Sequence, residues 1–378
     1  MTRQLKVITL NGDGRTRGRQ YGEEARGLIH EALAAMEAQL ASGSRLLEDV
    51  DGSKAAVAHA RAGRDHRTQV RRFIADTRFH RDIEAWAPDL LNETIGIAEG
   101  ANVPWERVFA LQLLDEIWAY EAGPTQAVRD LRRGCTSLAV AAVDGRPALL
   151  GQNLDVASWM DGLQLVLRIH DGDTEIHGLV YTMAGMIGAN GLNSRGLGVG
   201  VNGLTQLTTA PRGLPVAFVV RALLAQPSLR AARRYIAAIP HATGQHYLLA
   251  SPEGIAGFEC SANQVSAIDE APYLVHTNHP LTSTDHAYDL VPDRERARAD
   301  SGPRLDFVSR HLADGTEWTV QRMQQLLADR TVPLCRIPDG RVEDFTFAST
   351  VMELGAQPRM SATTGPPSTE PFTVLDLN

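Results

Sequence analysis

Cys135 stands directly after Gly134, at the start of a short apolar run that ends in Asp144-Gly145. A cysteine thiolate is a strong nucleophile, but the thiol is weakly ionised at neutral pH unless a neighbour assists it. Asp-Gly is a strong two-residue hairpin turn, and residues 148–153 supply the returning strand. With Val143 facing Arg146 across that turn, Cys135 falls opposite Leu154, and Asp155 lies one residue beyond. Pro147 can shift this register by a residue or two without separating the pair. The local pattern alone therefore brings a carboxylate beside a lone thiol.

Other chemistry-bearing residues are less pointed. Cys260 and Cys335 read as small buried apolar groups. Three scattered cysteines without a C-x-x-C suggest neither a disulfide framework nor a structural zinc site. His276 and His279 flank Thr277-Asn278, but the local pattern is a strand and no carboxylate stands at zincin spacing, so no metal ligand is assigned. Gly12-Asp13-Gly14 with Gly18 misses G-x-G-x-x-G by one residue and follows no convincing strand–helix unit. Gly196-Leu197-Gly198-Val199-Gly200 runs into a strand, so no helix N-terminus faces a phosphate. No cofactor-binding residues are assigned.

The elements around these residues divide at Gly134. Before it the chain reads as helical: residues 16–41, roughly 55–84, then Leu90, Leu91, Ile95 and Ala98 at helical spacing with Gly100 as C-cap. Pro104 suits a first helical position, with Val108, Leu111, Leu114 and Trp118 along one face. After it, strands are expected at 135–143, 148–153, 163–169, 175–182, 186–191 and 196–204. Helices open at Pro215 and at a Ser228 cap, and strands return at 247–250, 255–260 and 274–277. Helices at 304–313 and 316–328 precede strands at 349–354 and 372–377. Strands in blocks separated by helix pairs favour stacked antiparallel sheets covered by helices. Length alone allows two or three domains. No linker or repeat divides the second part, and one compact α+β body with a helical front segment is expected.

Composition narrows the class. The 378 residues are 43% hydrophobic, 22% charged and 6% aromatic, which excludes disordered and collagen-like proteins. With 37 basic and 45 acidic side chains the net charge is −8, which offers no footprint for nucleic acid. The longest apolar stretch, residues 214–225, is interrupted by Arg221 and falls short of the roughly 18 residues a span needs. The first twenty residues lack the apolar core of a secretory signal, so a cytoplasmic protein without membrane partners is expected.

Taken together, Gly134-Cys135-Thr136-Ser137 and Gly151-Gln152-Asn153-Leu154-Asp155 resemble the cysteine-type N-terminal nucleophile (Ntn) hydrolases related to acyl-CoA:6-aminopenicillanic acid acyltransferases, peptidase family C45. The likeness continues from Gly188 to Leu197, at Asn202, and in His276-Thr277-Asn278-His279. The front segment agrees in Gly18 to Gly22 and Ile97-Ala98-Glu99-Gly100. The resemblance implies a four-layer αββα sandwich and self-cleavage at Gly134–Cys135. Residues 1–134 become one chain and 135–378 the other, together a single compact domain. It also implies that Asp155 serves processing and activity and that Asn278 stabilises an oxyanion, with Thr136, Asn153 and His279 in support. A functional arginine is implied near Glu343-Asp344, where this sequence offers only Arg341, a departure that leaves substrate specificity open.

Such a site needs no histidine. Cleavage releases the α-amine of Cys135, whose pKa near about 8 suits it to take the thiol proton. Glycine before the cysteine lessens crowding for the attack on its own carbonyl. The expected activity is a self-processing amidohydrolase cleaving a linear amide C–N bond of a small N-acyl or aminoacyl compound through an acyl-cysteine. The alternatives are an acyl-CoA-dependent N-acyltransferase, although no coenzyme A site is recognisable, and an unprocessed ligand-binding protein. The expected partners are the small-molecule amide and the two chains of one precursor, and a higher oligomer is compatible with this.

Overall fold

The computed structural model describes residues 3–46, 66–122, 134–172, 175–287, 291–338 and 344–377. Two sheets stack in it. The first runs, in spatial order, β1 (Lys6–Gly12), β4 (Gln164–Asp171), β5 (His177–Met183), β6 (Asn190–Asn193), β7 (Gly198–Gly203), β8 (Gln245–Ser251), β9 (Gly254–Cys260) and β10 (Val265–Ile268). The second runs β11 (Tyr273–His276), β2 (Thr136–Val140), β3 (Ala148–Ala157), β12 (Asp344–Leu354), β13 (Arg359–Ala362) and β14 (Thr373–Leu375). Neighbours are antiparallel except β1 and β4, which pair in parallel.

Helices α1 (Gly14–Glu24), α2 (Arg26–Leu46), α3 (His66–Asp76), α4 (Phe79–Trp86), α5 (Pro88–Ala101), α6 (Trp105–Gln112) and α7 (Leu114–Ala122) form the front segment. Helices α8 (Val216–Leu224) and α9 (Leu229–Ala238) cover the first sheet, while α10 (Val291–Leu312) and α11 (Val320–Leu327) cover the second. The order is helix, sheet, sheet, helix: the αββα sandwich. Because successive strand residues alternate faces, Leu138, Leu149 and Val351 pack outward on Val308, Leu312, Met323 and Leu327. Ala139, Leu150 and Leu154 pack inward with Val199 and Leu248.

The hairpin takes the expected register. Asp144 and Gly145 both have positive φ, 50° and 76°, as a type I′ turn requires. Val143 bridges Arg146, and Thr136 faces Asn153. The helices at Pro215 and Ser228 also form as expected, with the Ser228 side chain accepting from Ala231 N.

Elsewhere the structure corrects the reading. The front segment opens with a strand, β1, whose partner β4 lies far along the chain. The short strands β10 and β13 carry too little alternation to be read locally. Residues 186–189 form a loop before β6, and the expected helix through Trp118 breaks at Leu113. Part of the 55–84 stretch lies outside the described residues. The rest forms α3 and α4, which separate at Thr77-Arg78. Helix α5 ends at Asn102 (φ 57°), not at Gly100. Gly100 instead lets α5 touch α1. A Cβ there would collide with Arg19 O, as one on Gly18 would with Glu93 O. Gly12-Asp13-Gly14 does join a strand to a helix, contrary to expectation. Yet Thr16 N donates to Asp13 Oδ1 (2.8 Å) and Gly14 N to Asp89 Oδ1 (2.7 Å), so two carboxylates already fill the place a phosphate would take.

Candidate active site

Three adjacent strands build the site. His276 on β11 faces Ser137 on β2, and Thr136 faces Asn153 on β3. Carrying both registers one or two residues further brings Asn278, Cys135 and Leu154 into one row, with Asp155 next to it. Cys135 is 7% exposed, and its Sγ lies 3.6 Å from Asp155 O, to which it donates. Like Cys260 and Cys335, it is buried and outside any disulfide.

Asp155 is fully buried on the face toward α10 and α11. Thr346, opposite it on β12, donates from Oγ1 to Asp155 Oδ1 (2.7 Å), and Arg336 Nε lies 2.9 Å from Oδ2 as an ion pair. Burial pushes the carboxyl up to about 6, against the pull of the Arg336 and Arg304 charges and the Thr346 hydrogen bond. Arg336 Nη2 also donates to both oxygens of Asp300 (2.9 and 2.8 Å).

Arg304, on α10, is completely buried. Its Nη1 donates to Gly134 O (2.6 Å), Cys135 O (2.8 Å) and Thr136 Oγ1 (2.8 Å). Its Nη2 donates to Asn278 Oδ1 (3.1 Å) and Asp300 Oδ2 (3.2 Å). One guanidinium therefore grips the carbonyls on both sides of the cysteine backbone and sets the orientation of Asn278. The other amide atom of Asn278, Nδ2, donates to Gly203 O (3.1 Å).

The remaining expected residues divide. Thr136 belongs to the site through Arg304. Asn153 does not reach it: its Nδ2 donates to Leu327 O and Leu334 O (both 2.8 Å), tying α11 to the sheet. His279 Nδ1 lies 2.5 Å from Ser301 Oγ, and burial, with nearby His276, Arg298 and Arg304, holds the ring down to about 4. It anchors α10. His276 sits between Glu259 Oε1 (2.8 Å from Nε2) and Thr277 O (2.8 Å from Nδ1), stacked on His246. Glu259 also accepts from Leu281 N (2.6 Å), Thr282 N (3.0 Å) and Ser283 N (2.6 Å). Burial alone would raise it, but the bonds to His276, Leu281 and Ser283 hold it down to about 2. Asn202 Oδ1 accepts from Ser137 Oγ (2.5 Å), two residues along the strand from Cys135.

Sequence reasoning missed Arg304, Arg336 and Asp300. Arg341 lies outside the described residues. The arginine that meets Asp155 is Arg336, a few positions upstream of the place expected. Its signal was weak, because helix α10 and the strands β3 and β12 converge only in the folded chain. Among the described residues no group of three or more His, Cys, Asp and Glu is placed to hold a metal ion, and no helix is long and apolar enough to cross a membrane.

The family model described as acyl-coenzyme A:6-aminopenicillanic acid acyl-transferase matches residues 142–352, more than half of the chain. The chain belongs to that family. With it, the protein joins the Ntn amidohydrolases and acyltransferases, enzymes that act on amide carbon–nitrogen bonds. Asp155, Asn278, Arg304 and Arg336 lie within the matched segment of this acyltransferase-family member, and Gly134-Cys135 just before it. Among solved structures, it is similar to an N-acylethanolamine-hydrolyzing acid amidase ortholog from Caenorhabditis elegans, with 16% identity and a TM-score of 0.42 over 58% of this chain and 93% of that one. It is also similar to a penicillin V acylase from Agrobacterium tumefaciens (12%, TM-score 0.41, 64% and 86%). A variant conjugated bile acid hydrolase from Clostridium perfringens matches at 16% identity and a TM-score of 0.43, over 65% and 93%.

Proposed function

We propose that this enzyme is a self-processing cysteine amidohydrolase that cleaves a linear amide C–N bond of a small N-acyl or aminoacyl compound. The observation that carries the proposal is Asn278 level with Cys135, Asp155 O against the thiol, and Arg304 holding the backbone on both sides of it. Cleavage between Gly134 and Cys135 leaves a chain that begins with the nucleophile. Its α-amine, ordinarily near pKa about 8, takes the thiol proton. The thiolate adds to the substrate carbonyl, and an Asn278 amide N–H together with a backbone N–H donates to the oxyanion; one such donor is worth about 3–4 kcal/mol. The ammonium returns its proton to the departing amine. Water then cleaves the acyl-cysteine thioester and regenerates the thiol.

Acyl transfer is the second reading, favoured by the family's own description as an acyl-transferase. In that case an amine replaces water at the thioester. Intact mass of the chain beginning at Cys135, taken after exposure to a panel of acyl and aminoacyl amides, tests both. An acyl adduct on Cys135 is expected, with products that shift to a new amide on adding an amine if transfer dominates. No adduct and no turnover across the panel would count against an amide substrate.

A further inference from the structure

Self-cleavage and substrate turnover each generate an oxyanion. We propose that Arg304 is the catalytic residue of the self-cleavage step, receiving the negative charge that develops on Gly134 O. This rests on the self-processing reading above. Arg304 Nη1 already donates to that oxygen at 2.6 Å, well within hydrogen-bond reach. The guanidinium is fully buried, so no solvent screens it. It is also held in advance, by Asp300 through Nη2 and by Cys135 O and Thr136 Oγ1 through Nη1. A preorganised cation needs no rearrangement when charge appears on its acceptor. Asn278 is differently employed: its Oδ1 faces Arg304 and its Nδ2 faces Gly203 O.

The step balances without an outside reagent other than water. Cys135 Sγ bonds to the Gly134 carbonyl carbon, and the C=O π pair moves onto the oxygen facing Arg304. The thiol proton passes to the Cys135 nitrogen as the C–N bond breaks, which leaves a Gly134 thioester on Sγ and a free amine. Water then hydrolyses the thioester, giving the Gly134 carboxylate and the free thiol.

The test follows conversion of the freshly synthesised full chain to the chain beginning at Cys135, for wild type, Arg304→Lys and Arg304→Gln, with a thermal melt to verify folding. Wild type is expected to cleave, Arg304→Lys about tenfold more slowly and Arg304→Gln about a hundredfold or more, as for loss of an oxyanion donor. Hydroxylamine, which captures a thioester once it exists, should restore neither variant, because the block precedes thioester formation. Folded variants that cleave within about twofold of wild type would overturn the proposal. If neither variant folds, Asp300→Asn, which removes a partly exposed support of the guanidinium, carries the test: several-fold slower cleavage supports it and an unchanged rate overturns it. A wild-type chain that never cleaves removes the self-processing reading itself, which separates the two failures.

Discussion

Gly134 lies so close to Arg336 that a Cβ built on it would stand 2.7 Å from Arg336 Cζ, and closer still to Arg336 Nε and Asp155 Oδ2. The residue before the proposed nucleophile is therefore constrained by the Arg336–Asp155 ion pair behind it as well as by the proposed cleavage. Gly134→Ala should cost about 1–3 kcal/mol through overpacking. It should also slow self-cleavage at least tenfold by pushing Arg336 off Asp155. A melt and a cleavage time course check both; wild-type cleavage in this variant would show that the pair has room to yield.

Asp155 gives a pH signature. Its carboxyl is raised from 3.8 to about 6 in the fold, so the folded state holds a proton that the unfolded chain has released. The stability it contributes is fully present below about pH 4 and falls by about 3 kcal/mol as pH rises through 6. The ion pair with Arg336, by contrast, needs the carboxylate. Self-cleavage should therefore speed up as pH rises through about 6, before any α-amine exists to confuse the profile. Asp155→Asn should cleave at least tenfold more slowly and lose that inflection.

Glu259 predicts the opposite slope. Its carboxyl is lowered from 4.5 to about 2, so its contribution is present above about pH 4.5 and is lost as pH falls toward 2. Glu259→Gln should cost about 3 kcal/mol at neutral pH and flatten the acid limb of a stability-versus-pH curve. Because Glu259 fastens residues 281–283 just beyond Asn278, turnover should fall with it.

Asn278 separates the two oxyanions. Asn278→Ala should lower kcat about 10²–10³-fold once processed, the usual loss for an oxyanion donor. Self-cleavage of the same variant should stay within about tenfold of wild type, since Gly134 O is held by Arg304. Equal losses in both reactions would place Asn278 in both.

Much of this was legible because it is local. The Asp144-Gly145 turn sets the β2–β3 register by itself, and that register brings Asp155 next to Cys135, although its backbone carbonyl and not its carboxylate meets the thiol. Resemblance supplied Asn278, which the β11–β2 pairing then places level with the thiol. Arg304 and Arg336 were not legible. Each looks like one arginine among many in a polar stretch, and its meaning depends on α10, and on the residues after α11, folding back over the sheet's outer face. Asn153 misled for a related reason: it faces the same layer as Asp155, but two carbonyls near α11 claim its amide. Strand β1 escaped notice because its partner stands well over a hundred residues away.

The most direct test of the central claim is the mass of the purified protein's chains under denaturing conditions. Two chains of about 15 and 27 kDa are expected, in proportion to residues 1–134 and 135–378 of a 41.1 kDa protein, the larger beginning with Cys135. Cys135→Ala should give one intact, folded, inactive chain. A wild-type chain that stays whole after long incubation, or a Cys135→Ala chain that still splits after Gly134, would contradict the account.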